Sequence, residues 1–229
     1  MMGAEAFWPP ILLSLKIAGM ASVLVLLIGG GGAWWVSRAK VGGNIKLVLE
    51  TLFLLPLVLP PTVVGFVLLV VLGRNSPLGQ LLESWLDKPI VFTPAAAVIA
   101  AVVVAFPLVY QTMKTGYEGV DSQLAEAARS SGANEWQVLR HITLPLCYRS
   151  IMTAYILGFA RALGEFGATL MIAGNIPGRT QTTPTAIYVA VESGNWMAAW
   201  AWTIAIIAIS FLLLLLTGWR ARGVEQRQR

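Results

Sequence analysis

Four stretches of this chain carry no Asp, Glu, Lys or Arg: Ile17 to Ser37, Thr51 to Gly73, Thr93 to Met113 and Met197 to Trp219. Their apolar residues run on without alternating, which points to helices in an apolar solvent and away from the ten-residue alternating strands of a membrane barrel. Each matches the roughly 20 residues that an α-helix needs to cross a ~30 Å hydrocarbon core. Lipid leaves no open alternative, because acyl chains cannot hydrogen-bond a bare backbone. A further apolar segment, Ser150 to Ile172, is interrupted by Arg161 and Glu165. The pattern predicts an all-α polytopic membrane protein with five transmembrane helices, at about 11–37, 51–73, 93–113, 150–172 and 197–219, in a single domain over 1–229. Thr185 to Glu192 reads as a helix too short to cross.

Gly29 to Gly32 form a run of four glycines in the first span, each weakening a helix by up to ~1 kcal/mol against alanine. Close helix packing is the ordinary use of such residues. Pro56, Pro60 and Pro61 puncture the second span and Pro107 the third. Proline frees carbonyls that other groups must satisfy. The three together predict a bent second helix beside a cavity.

The longest polar stretch, 114–149, has the punctuation of a folded loop. Asp121 is placed to cap a helix over Ser122 to Ser131, and Gly132 to end it in a left-handed conformation. Asn134 followed by Gln137 reads as the capping box of a second helix. That helix should stop near Leu144, because Pro145 cannot continue the ladder. Leu124, Ala127, Ala128 and Ser131 share one face of the first helix, with bulk from Trp136, Leu139 and Ile142 on the second. From the residues alone this helix-turn-helix is either a docking element for another protein or a helix pair lying on the membrane surface.

Composition agrees with the pattern. The chain is 57% hydrophobic and 12% charged, against about 45–50% and roughly 25% for soluble domains. A net charge of +5 could suggest nucleic acid, but its position excludes that partner. Arg38, Lys40 and Lys46 follow the first span; Lys114, Arg129, Arg140 and Arg149 lie between the third and fourth; Arg220, Arg222, Arg227 and Arg229 follow the last. The other connections hold Arg74, Lys88 and Arg179. Basic residues mark the cytoplasmic side, so the amino terminus is expected outside and the carboxy terminus inside. Met1 to Pro10 lacks a positive charge and carries Glu5, so a cleaved leader is not expected.

Little here suggests catalysis. Cys147 is the only cysteine and His141 the only histidine, so neither a disulfide nor a metal cluster is expected. The serine-hydrolase and zinc-protease motifs are missing, and the dipeptide Gly-Lys never occurs, so a Walker A phosphate loop is absent. Arg161 and Glu165, four residues apart, fall on one helix face. A charge at a span centre costs ~2.5–3.5 kcal/mol. The pair either neutralises itself and fixes packing, or lines a polar pathway. Lys16 can snorkel to the interface and carries no assigned role.

Glu126-Ala127-Ala128, three residues, Gly132, nine residues, then Ile142-Thr143-Leu144-Pro145 resembles the EAA loop of binding-protein-dependent ABC importer permeases. Phe159-Ala160-Arg161-Ala162-Leu163-Gly164-Glu165-Phe166-Gly167-Ala168-Thr169 resembles the fourth span of the molybdate permeases within that family. Gly174 to Gly178, Gln181 to Tyr188 and the run Leu55 to Gly65 are similar to the same group, so the likeness covers nearly the whole chain. Some relatives carry an extra amino-terminal span, which is not expected here.

The resemblance implies a permease half carrying molybdate, or the related oxyanions tungstate or sulfate, by alternating access in the cytoplasmic (inner) membrane of a prokaryote. Glu126, Ala127, Ala128, Gly132, Ile142, Leu144 and Pro145 would couple it to an ATPase; Arg161, Gly164, Glu165, Phe166 and Gly167 would line or gate the pathway. The implied partners are a second copy in a homodimer, two ATP-binding subunits that hold ATP and Mg, an external oxyanion-binding protein, and membrane lipid. This chain would hold no cofactor or metal and no catalytic residue. A membrane enzyme using Glu165 or His141 would need a clustered titratable set. A secondary transporter would favour internal repeats and more midplane charges.

Reporters or cysteine labels at Ser76, Gly132, Pro177 and Gln226 should read outside, inside, outside, inside. A cytoplasmic signal at Pro177 would demand another crossing and end the five-span topology.

Overall fold

The computed structural model describes residues 4–38 and 42–225. Gly3, Lys40, Gln226, Arg227, Gln228 and Arg229, which bear on the expected topology, lie outside them. Among the described residues every regular element is helical. The first is α1, Ala4–Arg38. Its four glycines do not break it. Two of them let α5, Pro94–Glu118, come close: a Cβ on Gly29 would meet Val109 Cγ1 at 3.3 Å and the Tyr110 amide nitrogen at 3.4 Å, and one on Gly30 would meet Met113 Cε at 3.4 Å. Helix α5 is central, burying an alanine-rich face with Val104, Val109 and Tyr110. Its Pro107 is buried inside an unbroken helix.

The second span is two helices, α2 over Gly43–Val58 and α3 over Pro61–Leu72, bent by 112°. Leu59 and Pro60 each precede a proline, and both are extended, with ψ of 141° and 135°. A proline ring disfavours the helical region for the residue before it, so two in succession turn the expected bend into a break. Helix α2 is fastened to α5 by Lys114, whose Nζ donates to Glu50 Oε1 at 2.8 Å, and by the rings of Phe53, Phe106 and Tyr110.

Between α3 and α5 lies α4, Pro77–Leu86, capped by Ser76, whose Oγ accepts from the Gly79 amide. The hydrophobic pattern shows only a connection here. Its Ser-Pro start is nonetheless a legible signal: a hydroxyl at the cap and a proline where no amide is needed.

The loop yields α6, Ser122–Ser130, and α7, Glu135–Val138. The fourth span opens with α9, Tyr148–Leu163, and does not continue to Ile172 as one helix. It stops at Gly164 and restarts as α10, Gly167–Ala173. The short outer helix is α11, Thr183–Glu192, and the last is α12, Trp196–Glu225. Helices α1, α5 and α12 are long and apolar enough to cross a membrane, and two bent pairs, α2 with α3 and Glu135–Leu146 with α9 (bent by 75°), bring the number among the described residues to as many as five.

The two ends of the bundle are distinct. At one, Ser14 Oγ donates to Thr183 Oγ1 at 3.1 Å, the Trp202 indole donates to the Phe7 carbonyl, and the Phe92 amide donates to the Ile172 carbonyl. At the other sit Arg38, the Glu50–Lys114 pair and the helix pair α6–α7.

Helix α3 crosses α10 at Gly65, where a Cβ would lie 2.7 Å from Ala168 Cα and 2.8 Å from its carbonyl oxygen. Backbone cannot yield as a side chain can. Gly65→Leu should lower detergent-solubilised stability by about 1–3 kcal/mol through overpacking. Gly31→Ala, where nothing lies within 4 Å, should leave it unchanged or slightly raised. A melting curve of each variant checks both.

Candidate functional site

The helix pair is held by capping groups that its sequence supplies. Asp121 accepts from the Gln123 amide at 2.9 Å and starts α6. At the other end the Gly132 and Ala133 amides donate to the carbonyls of Arg129 and Ala128, at 2.9 and 3.0 Å. This two-bond closure needs a left-handed residue between helix and exit, and Gly132 has φ of +90°. Asn134 and Gln137 then exchange both bonds of a capping box, at 2.8 and 2.9 Å.

The second helix departs from expectation. It does not stop near Leu144. Leu139–Thr143 widen into a π turn, with the Leu144 amide donating to the Leu139 carbonyl, and Leu144–Leu146 follow as a last helical turn, α8. Pro145 sits in the first turn of α8, where its missing amide costs least. The chain has shifted its hydrogen-bond register to carry a proline through.

Glu126 and Ala127 are exposed, Ala128 and Ile142 half-buried, and Ala125 alone in α6 faces inward. Ala128, Gly132 and Ile142 line one shallow cavity with Gln137 and His141. Leu144 and Pro145 belong instead to the exit turn. Leu124 and Trp136 stay exposed at 48% and 62%. Leu124 and Trp136 thus look away from the protein's own core, whereas Leu139 is buried in it.

The second group of residues gathers at the break in the fourth span. Arg161 Nη1 donates to Glu165 Oε2 at 2.7 Å, and the Ala168 amide donates to Glu165 Oε1 at 2.8 Å. The carboxylate is buried while the Arg161 side chain is 32% exposed. Glu165 therefore does two things at once: it neutralises Arg161 and satisfies an orphan amide of α10, where a negative charge also suits the helix dipole. Gly164 ends α9 with φ of −88° and has room for a Cβ, so its backbone does not demand glycine. Gly167 has less room, with Thr62 Cγ2 3.1 Å and Pro61 Cβ 3.3 Å from a would-be Cβ.

The Phe166 ring lies 5.4 Å from that of Tyr188. The Tyr188 hydroxyl donates to Glu192 at 2.6 Å, which pushes its pKa up.

The starts of α3 and α10 therefore touch, and the break in the second span lies against the break in the fourth. Pro61, Thr62 and Gly65 complete the group; the sequence shows their prolines but not their contact with Gly167 and Ala168. The helix pair and the double break are not adjacent in sequence, and α9 joins them. Among the described residues no cluster of His, Cys, Asp and Glu could hold a metal ion.

The family described as "Binding-protein-dependent transport system inner membrane component" matches residues 27–227. The chain is similar to "Putative molybdenum transport system permease protein YvgM" of Bacillus subtilis, 54% identical over 211 residues and 92% of each chain. It is 41% identical over 221 residues, 96% of each chain, to "Molybdenum transport system permease protein ModB" of Escherichia coli. Among solved structures, a bacterial alginate ABC transporter in complex with its alginate-bound periplasmic protein matches with a TM-score of 0.76, at 15% identity, over 96% of this chain and 80% of that one. An inward-facing MetNI methionine ABC transporter matches with a TM-score of 0.70, at 14% identity, over 97% and 99%. At those identities the structures speak for the fold.

Arg161→Ala leaves a buried carboxylate without its counter-charge. It should cost about 2–3 kcal/mol, no more than the lower end for wholly buried pairs because Arg161 is partly solvated. Arg161→Ala with Glu165→Ala removes the charge and the cap together, and should cost about 1–2 kcal/mol. Unfolding measured beside anion uptake separates two roles: a double variant that assembles normally yet transports nothing places the pair in the pathway.

Proposed function

The chain belongs to the binding-protein-dependent transport system inner membrane component family, and we propose that it carries molybdate across the cytoplasmic membrane of a prokaryote as the membrane-spanning subunit of an ATP-driven importer. The observation that carries this reading is the exposed helix pair. It is rigidly capped, turned by Gly132 and presents Glu126, Ala127 and Trp136 away from the core. Exposed Ala127 and half-buried Ala128 beside the charge of Glu126 make a low surface that another protein can approach closely. Kinship at 54% identity with a protein named for molybdenum transport supports the choice of solute.

In this reading the helix pair is cytoplasmic and seats on an ATP-binding subunit, which holds ATP and Mg. The amino terminus lies outside and the carboxy terminus inside. Helices α2–α3 and α9–α10 each count as one crossing. Two copies form a homodimer over two ATP-binding subunits, and an external oxyanion-binding protein delivers the solute. Hydrolysis moves the helix pair, and α9 carries that movement to the double break. There Arg161, on the exposed side of its pair with Glu165, offers positive potential to a dianion. Gly164, Phe166 and Gly167 shape the same place. Alternating access follows if the half-helices α3 and α10, packed without intervening side chains at Gly65, move as one body.

Damage at Gly132 should uncouple the protein, not unfold it. Gly132→Val puts a β-branched side chain at a φ that such residues strongly disfavour, although the site has open space around it. Glu126→Ala removes a charge from the same surface while keeping helix propensity. Both variants should insert correctly and lose ATPase binding or solute-stimulated hydrolysis on reconstitution with the ATPase. Full transport by Gly132→Val would show that this loop is not the coupling element. Competition of labelled molybdate uptake by tungstate and by sulfate sorts the oxyanions.

A further inference from the structure

One carboxylate ties the helix pair to a part of the protein that the loop's own chain connections do not reach. Glu135 opens α7, where a negative charge suits the helix dipole. Its Oε1 accepts from Arg129 Nε at 2.6 Å and its Oε2 from Arg129 Nη2 at 3.3 Å, a two-pronged contact that fixes orientation as well as distance. The same Oε2 pairs with Nη1 of Arg38, the last residue of α1. Arg38 is aimed by its own helix: its guanidinium sits 5.5 Å from the centre of the Trp34 ring one turn back. Three elements, α1, α6 and α7, thus meet on one side chain.

The other attachments of the helix pair lead elsewhere. Helix α6 follows α5 through Gly119 to Asp121. Cys147, which ends the pair, donates its Sγ–H to the Gly116 carbonyl of α5 at 3.0 Å and leads directly into α9. Helix α1 is reached by the Glu135 carboxylate, beside a cavity that Trp34, Ser37 and Arg38 share with Ala125 and Arg129 of α6. Helix α1 also packs closely on α5 at Gly29, and its Val25 meets Gly158 of α9.

We propose that Glu135 is a positioning residue that carries the movement of the helix pair into α1, so that α1 swings with α5 and α9 during transport. This rests on the reading of the helix pair as the coupling element. The side chains of Arg129 and Glu135 are 39% and 50% exposed, and a pair so solvated contributes little to stability; Arg38 is more buried, at 26% exposed with Nη1 shielded from solvent, and glutamine at 135 would still offer it an acceptor. What the carboxylate supplies is alignment, so its loss should spare assembly and impair transmission.

The test uses the whole transporter in proteoliposomes, with partner ATPase, external binding protein and molybdate as the transported probe, on a Cys147→Ser background that keeps a hydrogen-bond donor at that position. Glu135→Gln should assemble with parental ATP turnover while molybdate moved per ATP falls at least about fivefold, the lower end for a coupling between linked sites. Arg38→Cys with Glu135→Cys should be equally uncoupled until a short bismaleimide joins the two thiols after assembly, and should then regain coupling. A merely structural role would not respond to a link made in the finished complex. Unchanged molybdate per ATP in Glu135→Gln, failure of that variant to assemble, or a crosslinked pair that stays uncoupled would each overturn the proposal. Gly132→Val, run alongside, separates the two ideas: if it transports fully, the coupling reading falls, whereas its failure beside a coupled Glu135→Gln removes Glu135 alone.

Discussion

An acyl chain offers no hydrogen bond, so each place where a helix stops inside a membrane must be answered by protein. The proposed second and fourth spans have two such places, and their restarts pack against each other. Pro60 and Pro61 end one ladder, and the second needs no amide partner because it has none to offer. The other stops at Gly164, and Glu165 caps the restart. The two restarts, α3 and α10, then press together at Gly65 and Ala168 with no side chain between them. Closeness of that kind keeps lipid and water from the exposed backbone.

Sequence revealed most of the features that depend on neighbours along the chain. The caps at Asp121 and Asn134, the left-handed turn at Gly132 and the short helix ending at Glu192 are all local, and their residues have few other uses. It was less informative wherever a partner lay far off in the chain. Arg161 and Glu165 were readable as a pair, but not as a cap, because a cap requires knowing that the helix has stopped. Their i, i+4 spacing suited a continuous helix equally well. Gly164, whose backbone is unstrained, gave no hint of a break.

Glu135 shows the same limit from another side. As a carboxylate in the first turn of a capped helix it looks satisfied by the dipole alone. Nothing in the local sequence points to Arg38, which lies far earlier in the chain. Pro145 misled in a more instructive way. The rule that proline ends a helix assumes that the helix keeps its register, and this one does not. Widening the turn at Leu139–Thr143 moved the bond that the proline would have broken.

That wide turn makes the chain here a ruler as much as a code. A π turn holds one residue more than an α-helical turn would, and each residue rotates the helix beyond it by about 100°. Removing any one residue from 139–143, whatever its identity, would let the turn close to ordinary helix and rotate the face carrying Trp136 by that angle relative to α9. The gap between Gly132 and Ile142 can therefore matter as a length even where its letters are free to vary. Two proteins could agree at every named position of this loop and still face their partners differently, if they disagreed by a single residue in the count between them.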